Sequence, residues 1–220
     1  MSKKLLWSVV AVAVTACVIY LGERNDYYFH RVKHYNMPAG SMLPTLEVGD
    51  QFLVKQIFSV FGERYVPNRG DVIVFWNEKA GFDYVKRVIG LPGETIQVQG
   101  GIVFIDRVAV PRTGGSAYTA RSGTYTGDSF SRFNETLPNA ADYEILELSD
   151  TAQLDNTKEY VVPDGHLFVL GDNRDNSVDS RVLSMVGYVP VEDVTGVAKH
   201  VYYSGPEKSF TWRRIGDNGH

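Results

Sequence analysis

Cysteine is almost absent: Cys17 stands alone among 220 residues. A single thiol closes no internal disulfide and anchors no cysteine-based zinc site. Excess positive charge is missing as well, because 22 Lys and Arg face 26 Asp and Glu for a net −4. That balance excludes a basic nucleic-acid binder. Nine prolines against 44% hydrophobic residues exclude a disordered or collagen-like chain and allow a sizeable core. Histidine is scarce, and its five positions offer no evident triad. His30 and His34 follow the apolar N-terminal run, His166 and His200 sit in strand patterns, and His220 is the last residue.

One long charge-free stretch is present. Leu5 to Leu21 runs 17 residues between Lys3–Lys4 and Glu23–Arg24. At about 1.5 Å per residue it reaches roughly 25 Å, short for a bilayer core but workable when flanking lysines snorkel. We read residues 1–4 as a short N-terminal tail and 5–22 as a single membrane anchor. A cleaved signal peptide, or a lipoprotein signal with Val14–Cys17 as its processing box, are the competing readings; the apolar run continuing through Val18, Ile19 and Leu21 argues against both. Basic residues lie on both flanks, so charge sets the orientation weakly.

Beyond the anchor, short runs rich in β-branched and aromatic residues alternate with Gly, Pro, Asn and Asp. They are Asp50–Lys55, Asp71–Trp76, Asp83–Gly90, Thr95–Val98, Ile102–Ile105, His166–Leu170 and Val194–Tyr203. The pattern predicts a mainly antiparallel β protein, with residues 23–112 and 161–220 forming one domain. Between them, residues 113–160 read as an inserted excursion of hairpins and loops. In Thr113–Thr136, 13 of 24 positions are Gly, Ser or Thr, yet Tyr118, Tyr125, Phe130 and Phe133 argue against a bare flexible linker. Ile57, Phe58, Val60 and Phe61 form an apolar cluster that reads equally well as core packing or as a segment dipping into a bilayer.

Chemistry gathers in PAGSMLPT (Pro38–Thr45), DYVKRVIGLPG (Asp83–Gly93) and GDNRDNSVDSR (Gly171–Arg181). Singly, these are a turn, an edge-strand lysine and a surface loop. Together they supply the parts of a nucleophilic acyl transfer that uses no histidine. Gly40 allows close backbone approach beside Ser41 and Pro44 stiffens the chain after it, which makes Ser41 the candidate nucleophile. With no histidine in reach, its base is expected to be lysine. Alternation along the strand puts Lys86 on one face with Tyr84 and Val88, and Arg87 on the other with Val85 and Ile89. An exposed lysine with a pKa near 10.4 is neutral in only about one molecule in 2500 at pH 7. A general base therefore needs that pKa to fall by roughly three, at a cost of about 4 kcal/mol, which burial can supply. Arg87 could pair with Asp172 or Asp179. The third segment imitates a calcium loop but carries Ser177 at the sixth position from Asp172, where glycine is required. Ser177 or Ser180 could hold the neutral amine in place.

These segments, with RGDVIVF (Arg69–Phe75) between the first two, resemble in this order four sequence blocks of the bacterial type I signal peptidases, the leader peptidases. The blocks frame most of the chain and leave Thr113–Tyr160 uncovered. The resemblance implies a signal-peptidase-like antiparallel β catalytic domain on the outer face of the cytoplasmic membrane, held by one anchor. It also implies a serine endopeptidase that removes signal peptides from exported pre-proteins, and it calls for no cofactor and no metal. Ser41 matches the nucleophile, Lys86 the general base and Ser177 the hydroxyl that orients it, while Asp179, Arg181 and Arg87 match bracing residues. By position, Met37, Pro38, Met42, Leu46, Tyr84 and Val85 are expected to line shallow pockets for small substrate side chains, with the substrate docking as an added strand. The partners implied are signal peptides of secreted pre-proteins and the lipid bilayer, and no nucleic acid.

Two departures and two alternatives stand beside this. Gram-negative members commonly carry serine two residues before the nucleophile as an oxyanion donor, and here that position is Ala39. They also often carry two anchors rather than one. A related peptidase that matures conjugative pilins would share the PAGSM and KR blocks, whereas the full GDNRDNSVDSR run favours the leader peptidases. An anchored β domain that binds export substrates without cutting them would have no need to keep Ser41, Lys86 and Ser177 together.

Overall fold

The computed structural model describes residues 32–56 and 66–215. The expected anchor and the Ile57–Phe61 cluster lie outside them. Fifteen strands are described: β1 Val32–Asn36, β2 Gln51–Gln56, β3 Val72–Asn77, β4 Phe82–Gly90, β5 Thr95–Gln99, β6 Ile102–Ile105, β7 Val108–Ala109, β8 Arg112–Thr119, β9 Ser129–Glu135, β10 Tyr143–Glu147, β11 Tyr160–Val161, β12 His166–Leu170, β13 Val189–Pro190, β14 Val194–Ser204 and β15 Ser209–Arg214. The fold is mainly antiparallel β, as the sequence pattern predicts. Among the described residues, helix is confined to short 3-10 turns, and no helix is long and apolar enough to cross a membrane.

The largest sheet runs β1-β2-β14-β3-β4-β12-β13, with β15 added to β14. Its central strands carry apolar residues on both faces, and β3 buries Val72, Ile73, Val74 and Phe75 together. Such continuous runs mark strands covered on both sides. Between β1 and β14, β2 alternates instead, with Phe52, Val54 and Gln56 turned inward. One core cluster joins Phe52, Val54, Val72, Val74 and Val85 to Met37, Met42 and Leu46. A second packs Ile89, Phe168 and Leu170 of β4 and β12 against Ile96, Val98, Val103 and Ile105 of a four-stranded sheet, β11-β5-β6-β7.

The stretch rich in Gly, Ser and Thr is more ordered than its composition suggests. It contributes β8 and β9 to a three-stranded sheet, β10-β9-β8. Phe130 of β9 is buried with Leu43, Ala120 and Leu146 in a third cluster. Glu135 at the end of β9 and Tyr143 at the start of β10 are buried side by side, with the Tyr143 hydroxyl donating to Glu135 Oε2 at 2.6 Å.

Candidate active site

Ser41 stands in a 3-10 turn, Gly40–Met42, entered through an extended Ala39. Leu43 N donates to Gly40 O at 3.2 Å and Leu46 N to Met42 O at 2.9 Å. The loop is held from three sides. Met42 and Leu46 sink into the core beneath the main sheet, Leu43 enters the cluster with Phe130, and the Thr45 hydroxyl donates to Asp172 Oδ2 at 2.5 Å. The cis Leu43–Pro44 bond lies within this loop.

Lys86 occupies the middle of β4, paired with Ile73 of β3. On its other side β12 has already ended at Leu170, whose partner is Arg87, so the chain turns away at Gly171 and leaves room for the loop bearing Ser41. Lys86 Nζ lies 2.8 Å from Ser41 Oγ and 3.0 Å from Val85 O. The residue is 2% exposed. Burial pushes its pKa down to about 8, against the pull of Asp179 and Asp172 and with help from Arg181. At that value about a tenth of the molecules carry a neutral amine at pH 7. The Tyr84 ring lies 5.3 Å from Nζ, on the face where alternation places it.

Arg87 pairs with Asp172 rather than Asp179. Nε donates to Oδ1 at 2.8 Å and Nη2 to Oδ2 at 2.6 Å, with the pair almost wholly buried. Nη1 donates to Gly70 O at 2.8 Å, and the guanidinium lies 4.1 Å from the Tyr143 ring centre. Asp179 instead takes Arg181, through Nε at 2.8 Å and Nη2 at 2.9 Å. Burial would lift the Asp179 carboxyl, but the guanidinium beside it holds it below the usual range.

Ser177 is buried in the same loop, and its Oγ makes no hydrogen bond among the described residues. It lies across Gly171 from the nucleophile's backbone. A Cβ on Gly171 would fall 2.2 Å from Ser177 Oγ and 2.6 Å from Ser41 O, which only glycine avoids. Ser180, the other hydroxyl, donates to no side chain of the site and accepts from Val169 N at 2.9 Å.

Of the six residues expected to line substrate pockets, Met42 and Leu46 are fully buried, and Met37 and Val85 nearly so. These four belong to the core cluster beneath the site. Pro38 and Tyr84 retain surface. Tyr84 stacks on Phe82 at 5.2 Å and Phe75 at 6.0 Å.

Several residues here escape sequence reasoning. Asn173 donates from Nδ2 to Gly40 O at 2.9 Å and from N to Ser41 O at 3.1 Å, so it ties down both carbonyls of the nucleophile turn. Arg174 is buried in an ion pair with Glu135, Nη1 to Oε1 at 2.8 Å, and reaches the Tyr143 hydroxyl at 2.9 Å. Thr45 and Asn173 lie in PAGSMLPT and GDNRDNSVDSR, the segments that carry the chemistry. Glu135 and Tyr143 lie outside every segment, and no local signal marks them. Among the described residues, no group of three or more His, Cys, Asp or Glu is arranged to hold a metal ion.

The family described as "Signal peptidase, peptidase S26" matches residues 6–203. Signal peptidase I of Rickettsia typhi is 36% identical over 156 residues, covering 66% of this chain and 54% of its own length. Signal peptidase I of Rickettsia conorii is 32% identical over 202 residues, covering 81% of this chain and 73% of its own. The chain thus spans about half the length of the first of these relatives. A solved signal peptidase I from Enterococcus faecalis V583 shares 27% identity, over 61% of this chain and 98% of the other, with a TM-score of 0.35.

Proposed function

Because the chain belongs to the signal peptidase family S26, we propose that it is a membrane-anchored serine endopeptidase that cuts signal peptides from exported pre-proteins. In this reading residues 5–22 anchor the chain once in the cytoplasmic membrane. Residues 23–112 and 161–220 form the catalytic domain on its outer face, and 113–160 form an excursion from it. One observation carries the proposal: the amine of a wholly buried lysine lies 2.8 Å from the hydroxyl of a serine held in a rigid turn.

The chemistry follows from that contact. Neutral Lys86 takes the Ser41 proton as Oγ adds to the scissile carbonyl. The ammonium so formed gives its proton to the departing amine, and the neutral Lys86 amine then takes a proton from the water that attacks the acyl-serine and returns it to Ser41 Oγ as the acid leaves. Ser177 is the hydroxyl that orients the amine in this reading, while Asp179 with Arg181 and Asp172 with Arg87 brace the loop. Pro38 and Tyr84 form the rim of the pockets for small side chains, with Met37, Met42, Leu46 and Val85 as their floor. The Ser41 N–H lies in the first turn of a 3-10 helix, where amides have no intrahelical partner, and so serves the developing oxyanion.

Cleavage of a pre-protein by the full-length chain in detergent, with the products weighed, tests the reading. A cut after a small residue, lost in Ser41→Ala, supports it. Equal processing by wild type, Ser41→Ala and Lys86→Ala overturns it. Ala39 offers a methyl where a hydroxyl would supply a second oxyanion donor, and loss of one such donor costs roughly 2.7 to 4 kcal/mol in another serine protease. We expect backbone or water to fill that place. Ala39→Ser should therefore change kcat by less than about tenfold; a rise of hundreds-fold would show that the donor is missing.

A further inference from the structure

The loop that carries Ser41 ends at Glu47, a carboxylate that is 3% exposed and has no place in the chemistry just described. Three donors converge on it from one short stretch of the three-stranded sheet and the turn after it. The Tyr118 hydroxyl donates to Oε1 at 2.7 Å, Arg121 Nε to Oε1 at 3.1 Å and the Ser122 hydroxyl to Oε2 at 2.9 Å. Apolar contact accompanies them. Leu43, two residues after the nucleophile, packs on Ala120, Phe130 and Leu146 with Tyr118 alongside. Gly123 sits so close to Val48 that a Cβ there would lie 2.6 Å from Val48 Cγ2, and its φ of +74° is one that favours glycine.

A solitary buried carboxylate would be costly, and this one is met by donors that all lie between Tyr118 and Ser122, on β8 and the turn that follows it. We propose that Glu47 is a positioning residue for the nucleophile: by gathering Tyr118, Arg121 and Ser122 it makes the 118–130 hairpin a strut that fixes the Ser41 loop against Lys86. This rests on the Ser/Lys reading above. The strut acts at a distance of several residues, through Glu47 and Leu43, and touches neither substrate nor reacting atoms. Its signature is therefore a fall in turnover with substrate binding unchanged, since misplacing a nucleophile by a fraction of an ångström weakens attack without altering the pockets.

Full-length wild type, Glu47→Gln, Glu47→Ala, Tyr118→Phe and Ser122→Ala are compared in kcat and KM on one peptide spanning a cleavage site, and in amide hydrogen exchange. Glu47→Gln keeps the shape but replaces one acceptor with a donor facing other donors. It should lower kcat by about tenfold with KM unchanged, and amides 41–46 should exchange faster while those of β12 keep their protection. Tyr118→Phe should cost less alone and nothing further in the Glu47→Ala background. Unchanged kcat in Glu47→Gln overturns the proposal, as does a loss shared with faster exchange throughout β12, which marks general destabilisation. Should the Glu47 variants fail to fold, Ser122→Ala and Tyr118→Phe decide: unaltered exchange at 41–46 in both overturns it. Ser41→Ala run alongside separates the two ideas, because cleavage by that variant removes the reaction assignment, whereas its loss with unaltered kcat in Glu47→Gln removes only the strut.

Discussion

Lys86→Met should abolish cleavage and, at the same time, make the protein harder to unfold at neutral pH. Removal of a single triad member in another serine protease lowers kcat by a factor on the order of 10^6, and a proton acceptor in contact with the nucleophile belongs to that class. The gain in stability has a separate origin. Burial lowers the lysine from an ordinary 10.5 to about 8 in the folded protein, so the unfolded chain holds the proton more tightly. Below pH 8 the amine is charged in both states and folding bears the full cost of burying it, about 3 kcal/mol from the fall in pKa. Between pH 8 and 10.5 the unfolded state binds more protons, so stability climbs with pH and the cost disappears above that range. Methionine matches the stem and carries no charge, so its advantage should be greatest at pH 7 and fade towards pH 10. Denaturant midpoints of wild type and Lys86→Met at pH 7 and pH 9.5 measure it. The same shift predicts a wild-type kcat/KM that rises with pH about a midpoint near 8. Full activity that is flat from pH 6 to 9 would contradict a lysine base.

Asp172→Ala should be the most destabilising single change in the site. The carboxylate is 0% exposed and accepts two bonds from Arg87 and one from Thr45, while its own backbone O accepts from Leu146 N at 2.8 Å. It joins the nucleophile loop, β4 and β10 at one point. Its removal leaves the Arg87 guanidinium buried without its anion, and breaking such a pair costs about 3–5 kcal/mol. A domain of ordinary stability, about 5–15 kcal/mol, loses much of its margin. Replacing both partners, Arg87→Met with Asp172→Leu, should restore most of the denaturant midpoint, because no lone charge remains. Asp172 also draws the Lys86 amine towards its charged form. In Asp172→Ala any remaining activity should therefore reach half its maximum at a lower pH than in wild type. A midpoint moved upward would show that the carboxylate does not act on the lysine electrostatically.

What could be read from the sequence was whatever depends on near neighbours. The strand runs are alternating or continuous stretches of Val, Ile, Phe and Tyr, and β2, β3, β4, β5, β6, β12 and β14 fall where those runs lie, within a residue or so. Ser41, Lys86 and the 171–181 loop were legible because each announces its geometry locally, through Gly40 and Pro44, through a cation in an apolar strand, and through a dense alternation of charge. Illegible were features created by pairing across the chain. Residues 113–160 read as hairpins and loops, but Arg112–Thr119 is not marked as a strand because Gly114, Gly115 and Ser116 favour none. It extends only because β9 offers a ladder from Ser129 to Glu135. Glu135 and Tyr143 are ordinary residues until Arg174 and Arg87 arrive beside them from distant segments. The pocket residues show the same limit in reverse. Position along the chain put Met42 next to Ser41, whereas its depth comes from the 3-10 turn Gly40–Met42, which rotates successive side chains by about a third of a circle, and from the core packed beneath it.

Asn173 has one more consequence. A peptide plane fixes its C=O and the following N–H in opposite directions, so a residue that captures a carbonyl also aims the amide on the far side. With Gly40 O and Ser41 O both drawn onto Asn173, the amides of Ser41 and Met42 are turned the other way before any substrate arrives. The side-chain amide of Asn173 thus works as a latch against a crankshaft flip of the turn, and it presets the direction of the Ser41 N–H to which the proposed reaction gives the oxyanion.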